Sequence, residues 1–175
     1  MAASIGVAAA VLLGLWLKVE EARAPQEPPA VALGQPVDLG RTEITPLSLS
    51  LAPPEREGEP RRLLLRARLL NLTGETQSAV FGFPSHPPEL AAAGVAWPEP
   101  EVTLDRDGEL LWHLQPRLAE RVTLAWRVPP GWQPGPVSLT FQRQTFKLRD
   151  NLYGKSSWLL FQPAGRMAIT PEGAP

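Results

Sequence analysis

The stretch Glu120-Arg-Val-Thr-Leu-Ala-Trp-Arg-Val128 decides the fold. Val122, Leu124, Trp126 and Val128 fall on one side of a period of two, and Arg121, Thr123, Ala125 and Arg127 on the other. Side chains alternate faces along an extended chain, so this is a strand with one buried face. The same period recurs outward in both directions. In "VSLTF" (137–141), Val137, Leu139 and Phe141 face inward. In "LLLRARLLNL" (63–72), Leu63, Leu65, Ala67 and Leu69 do. "PLSLSLA" (46–52) places Leu47, Leu49 and Leu51 inward by the same count. "VTLDRDGELLWHL" (102–114) reads as a hairpin turning at Asp105-Arg106-Asp107-Gly108, with Leu110, Trp112 and Leu114 on one face and His113 on the other.

No stretch beyond residue 30 holds a helical apolar stripe over three turns; "HPPELAAAG" (86–94) predicts one short helix or 3₁₀ turn at most. The chain carries 21 prolines, which cut it into short elements. Seven to nine strands between turn signals predict an all-β, antiparallel sandwich, because each sheet must bury its apolar face on another. A closed barrel is the alternative, and it would need more even strand spacing.

Ala2 to Leu17 is sixteen residues without a charge, followed by Lys18 and then the proline-rich "APQEPPA" (24–30). This predicts a hydrophobic N-terminal helix over residues 1–18, a transmembrane anchor or signal segment. Residues 19–30 form an extended linker, and residues 31–175 an extracytoplasmic domain with a C-terminal extension. Pro25 directly after the small-x-small triplet Ala22-Arg23-Ala24 disfavours cleavage, which points to a single-pass tether in the cell membrane. A cleaved signal, leaving a secreted or periplasmic domain, is the alternative. A net charge of −1 argues against nucleic acid as a partner, and the absence of cysteine removes disulfides, thiol catalysis and thiolate metal sites.

Three segments together, "VALGQPVDLGRTEITPLSLSL", "RRLLLRARLLNLTGE" and "ERVTLAWRVPPGW" with "VSLTF", resemble a family of secreted immunoglobulin-like bacterial domains. That family is typified by the mycobacterial immunoprotective extracellular antigen and related lipoproteins of unknown function. The matching features are Gly34, Asn71 with Thr73, and Val128-Pro129; the lipobox is missing and a C-terminal segment is added. The resemblance implies an immunoglobulin-like sandwich and an extracytoplasmic binding or accessory role.

The motifs that suggest chemistry fail on spacing. Gly154-Lys155-Ser156 lacks the glycine that a phosphate loop needs at position 149, where Arg149 stands. Asp105-Arg106-Asp107-Gly108 lacks the further oxygen ligands of a calcium loop. His86 and His113 are the two near-neutral bases, one in a proline-stiffened loop and one on a strand. Asn71-Leu72-Thr73 matches a glycosylation sequon and equally ends a strand before the turn "TGE".

The expectation is therefore a non-enzymatic, membrane-tethered module, with no catalytic residue, cofactor or metal, that binds a protein or cell-envelope component. A hydrolase whose site assembles only in the fold, or a structural subunit of an envelope complex, are the rivals. The candidate docking loop is Arg149, Asp150, Asn151, Tyr153, Lys155 and Trp158, a turn rich in residue types that anchor partners or cap a sandwich. Phe146 and Leu148 are out of phase with Phe141, which requires a bulge near "QRQT" (142–145).

Overall fold

The computed structural model describes Trp16 and residues 27–54, 56–92, 94–149 and 154–173. Among the described residues eight strands form two antiparallel sheets. The larger contains β1 (Val37–Asp38), β2 (Thr42–Ala52), β3 (Arg62–Asn71), β5 (Glu101–Leu104) and β6 (Ala119–Arg127), in the order β1-β2-β3-β6-β5. The smaller contains β4 (Glu89–Ala91), β7 (Val137–Lys147) and β8 (Ser157–Ile169), in the order β4-β7-β8. Apart from Trp16, the expected N-terminal helix lies outside the described residues. Among the described residues no helix is long and apolar enough to cross a membrane.

Three of the alternating strands bury the faces that their period assigns. Leu63, Leu65 and Leu69 are fully buried on β3, as are Val122 and Leu124 on β6 and Leu139 and Phe141 on β7. Trp126, paired with Leu63 across the sheet, is 1% exposed and is the largest side chain in the core. Apolar area withdrawn from water, at about 25 cal/mol per Å², is what holds the two sheets together.

The expectation fails at three places, each for a local reason. Leu47 is 42% exposed rather than buried, because β2 shifts register between Pro46 and Ser48. Proline has no N–H for the ladder, so the extra residue of a bulge falls beside it and turns outward. Leu49 and Leu51 beyond the bulge are buried as expected. The described residues of 86–94 contain no helix; Glu89, Leu90 and Ala91 pair with Thr140, Leu139 and Ser138 of β7. Pairing that buries Leu90 and Ala92 outweighs the weak helical preference of an alanine run. Finally, the 102–114 hairpin turns where expected, with Leu104 N donating to Glu109 O at 2.8 Å, but its return arm departs after Leu111. The arm goes on to pair Leu114 with Gln77, which leaves Trp112 69% exposed and His113 on the surface.

Both chain ends cover sheet edges. Val31 N donates to Arg166 O (2.8 Å) and Arg166 N to Pro29 O (2.9 Å), laying residues 29–31 along β8. Beyond β8 the chain crosses to the larger sheet, where Leu51 N and Glu172 O bond at 2.9 Å on the part of β2 that β1 leaves free. Unpaired edges invite pairing with other chains, and these contacts remove two of them.

Candidate functional site

Of the docking residues read from the sequence, Arg149, Lys155 and Trp158 fall on the arm formed by β7 and β8. Asp150, Asn151 and Tyr153 lie outside the described residues. Arg149 and Lys155 are exposed. Trp158 belongs to β8 rather than to a loop: it sits opposite Phe146, with ring centroids 5.1 Å apart. Its ring also carries the Arg41 guanidinium, 4.9 Å from the centroid. Burial pushes the Arg41 pKa down. Gly40, at φ 101°, brings the backbone close under the indole: a Cβ there would stand 2.8 Å from Trp158 Cζ3. The register of the arm slips between Phe141 and Gln142 and again between Gln144 and Thr145, the region where a bulge was required. The arm displays apolar side chains to solvent: Leu148 is 82% exposed, Leu160 75% and Phe146 46%.

A second place is concave. A cleft of ≈ 520 Å³ opens at the edge where β4 ends the smaller sheet and β5 the larger. One wall is the segment Pro84–Pro88, the other Trp97–Pro100, and the floor includes Leu90 and Trp126. The first wall is held in place from three sides. His86 stacks on Phe161 of β8 at 3.9 Å between ring centroids, and its Nδ1 lies 2.9 Å from Pro84 O. His86 N donates to Phe81 O at 2.9 Å. Gln144, 4% exposed, donates from Nε2 to Phe83 O at 3.2 Å. Gly82, at φ 83°, permits this approach, since a Cβ there would fall 2.6 Å from Phe161 Cζ. The second wall is stiffened by Pro98 and Pro100 and by Trp97, whose ring meets Trp132 edge-on at 5.2 Å. The Trp97 indole N–H is buried with no hydrogen-bond partner. A buried orphan donor costs about 1–3 kcal/mol.

Of these residues the sequence singled out His86, as a near-neutral base in a proline-stiffened loop, while Gly82, Trp97 and Gln144 fit no catalytic spacing. The signal available was two proline clusters, 84–88 and 98–100, with Trp97 at the start of the second.

The other motifs are used locally. Asp107 Oδ1 accepts from Glu109 N (3.1 Å) and Asp107 Oδ2 from Arg106 Nε (2.9 Å), while Asp105 Oδ1 accepts from Thr123 Oγ1 (2.7 Å). The Glu109 N–H first, and Arg106 next, hold the Asp107 carboxyl below the usual carboxylate range. Among the described residues no group of three His, Asp or Glu is placed to hold a metal ion. Asn71 is fully buried: its Nδ2 donates to Glu75 O (2.8 Å) and Leu114 O (3.0 Å), and its Oδ1 accepts from Thr73 N and Oγ1. The sequon is thus a turn staple, closed to a glycosyl group.

Two packed antiparallel sheets define the class, a β-sandwich. No family model matches the chain, and no curated protein does. Among solved structures it is similar to the crystal structure of an uncharacterized β-sandwich protein from Clostridium difficile 630. That likeness has a TM-score of 0.55 at 12% identity and covers 85% of this chain and 98% of the other. At that identity it shows the fold alone.

Proposed function

We propose that this chain is a membrane-tethered, extracytoplasmic, immunoglobulin-like domain that binds a protein or envelope component without catalysis. The strand order supports the immunoglobulin-like reading. Taken in chain order, β2 to β8 supply the A-B-E-D and C-F-G sheets of a constant-type domain, with β1 added at the edge. The observation that carries binding is the cleft between Pro84–Pro88 and Trp97–Pro100. Its walls are fixed before any ligand arrives, which lowers the ordering cost of association. Its histidine is spent as a strut, stacked and bonded within the wall, and that favours recognition over proton transfer. The apolar N-terminal segment and its proline linker support tethering and export.

The test is Trp97→Phe in the full-length protein. Phenylalanine keeps an aromatic ring against Trp132 but removes the N–H together with part of the indole's packed area. Thermal unfolding should fall only modestly, while capture of the partner from the protein's own membranes falls sharply. Undiminished capture would contradict the cleft as the site. A second reading places docking on the β7–β8 arm, favoured by the exposure of Leu148 and Leu160 beside Arg149 and Lys155.

A further inference from the structure

We infer that the outer face of β3 and β6 is a docking surface for anionic lipid headgroups. Even-numbered residues of β3 and odd-numbered residues of β6 point away from the core, and they include Arg66, Arg68, Arg121 and Arg127, all exposed. The register sets Arg68 directly opposite Arg121, with Arg66 two residues along β3 on the same face. Like charges directly opposite each other across a ladder destabilise it, so stability alone would not place Arg68 against Arg121. Among the described residues no ion pair reaches Arg66, Arg68, Arg121 or Arg127. Two acids on this face, Asp105 at the end of the row of Arg68 and Arg121 and Glu101 opposite Ala125, lie at its β5 edge, and neither makes an ion pair with these arginines among the described residues.

The spacing suits phosphate groups on a surface. Alternate residues along a strand stand about 6.6–6.8 Å apart, and neighbouring strands about 4.7–4.9 Å, so the guanidiniums form a two-dimensional array rather than a line. Ser48, Thr123 and the half-buried Leu64 lie between them by register, and hydroxyls supplement a guanidinium fork on phosphate oxygens. This array needs no cleft walls, and a flat bilayer fits it. The choice of a bilayer rests on the tethered reading above: thirteen residues, 18–30, separate the uncharged stretch ending at Leu17 from the domain that begins at residue 31. Each arginine near an anionic membrane adds about 1 kcal/mol of attraction, so three acting together give a preference on the order of 100-fold.

The chain has no cysteine, so Ser48→Cys carries a single polarity-sensitive fluorophore on this face. The full-length protein is mixed with phosphatidylcholine vesicles, with or without added phosphatidylglycerol. A blue shift with phosphatidylglycerol only, reversed by high salt and lost in Arg66→Gln/Arg68→Gln/Arg121→Gln, is the expected result. Arg106→Gln, in the turn and paired with Asp107 and Glu120, should keep the shift. The triple variant should unfold at the same or a higher temperature, since it removes like-charge repulsion. An equal response on both vesicles, a response that survives the triple substitution, or an equal response to soluble inorganic polyphosphate would each overturn the inference. Sedimentation with phosphatidylcholine vesicles reads the tether separately: its absence contradicts tethering, while the phosphatidylglycerol difference still decides the face.

Discussion

Trp126 meets Leu63 near the end of the β3–β6 ladder with 1% of its surface exposed, and no smaller side chain fills its volume. Trp126→Ala should therefore cost about 3–5 kcal/mol, read as a fall in the denaturant midpoint at unchanged slope. Asn71 is the polar counterpart. Asn71→Ala strips partners from Leu114 O, Glu75 O and the Thr73 N–H, and should destabilise by about 1–3 kcal/mol or more in the same measurement. Asp107 gives a pH dependence of defined sign. Its folded pKa is depressed, so its contribution is present above the unfolded carboxylate pKa and is lost as pH falls through the folded value. The Glu109 amide resonance should move over that acidic range, and Asp107→Asn should abolish the movement. Residues such as Trp126 were legible from the sequence because alternation alone fixes their face. Trp97 and Gln144 were not, since what surrounds them comes from segments far away in the chain.

The elements show why some strands could be read and others could not. β3 and β6 are long, and each has one continuous buried face, so period two survives intact, while β7 keeps it only through Phe141, before its register slips. β4 has three residues and exists only because β7, about fifty positions later, pairs with it. No local pattern records that. β2 kept its identity as a strand but lost Leu47 to the bulge at Pro46. The loop before β4 makes a tight demand: Gly82→Ala would force a Cβ into Phe161 and Gln144 at a positive φ. It should lower stability by about 1–2 kcal/mol or more and loosen the 80–86 wall, seen as faster amide exchange there. The β7–β8 arm predicts the opposite pattern. Leu148→Ser and Leu160→Ser remove exposed side chains and should change stability by no more than about 0.5 kcal/mol. A loss of partner capture in these two variants, with Trp97→Phe unaffected, would favour the arm over the cleft.

At the scale of the whole molecule, the antiparallel sandwich was legible because several half-buried strands leave few other ways to bury their faces. The cleft was not, because its walls meet only after β4 joins one sheet and β5 the other. Both ends of the domain are pinned, at Val31 on β8 and at Glu172 on β2, so it presents its surfaces as one body. The proposed function sets this body outside the cytoplasm and has it engage its partner through the cleft. Glu99, exposed on the cleft rim, and Lys155, exposed on the β7–β8 arm, allow both parts to be tested together. Glu99→Cys and Lys155→Cys would each be the chain's single cysteine, labelled on intact cells with a membrane-impermeant maleimide photocrosslinker and then illuminated. The account predicts that both positions label without opening the cells, and that Glu99→Cys alone yields a discrete adduct. Labelling that requires broken cells, or an adduct from Lys155→Cys and none from Glu99→Cys, would contradict it.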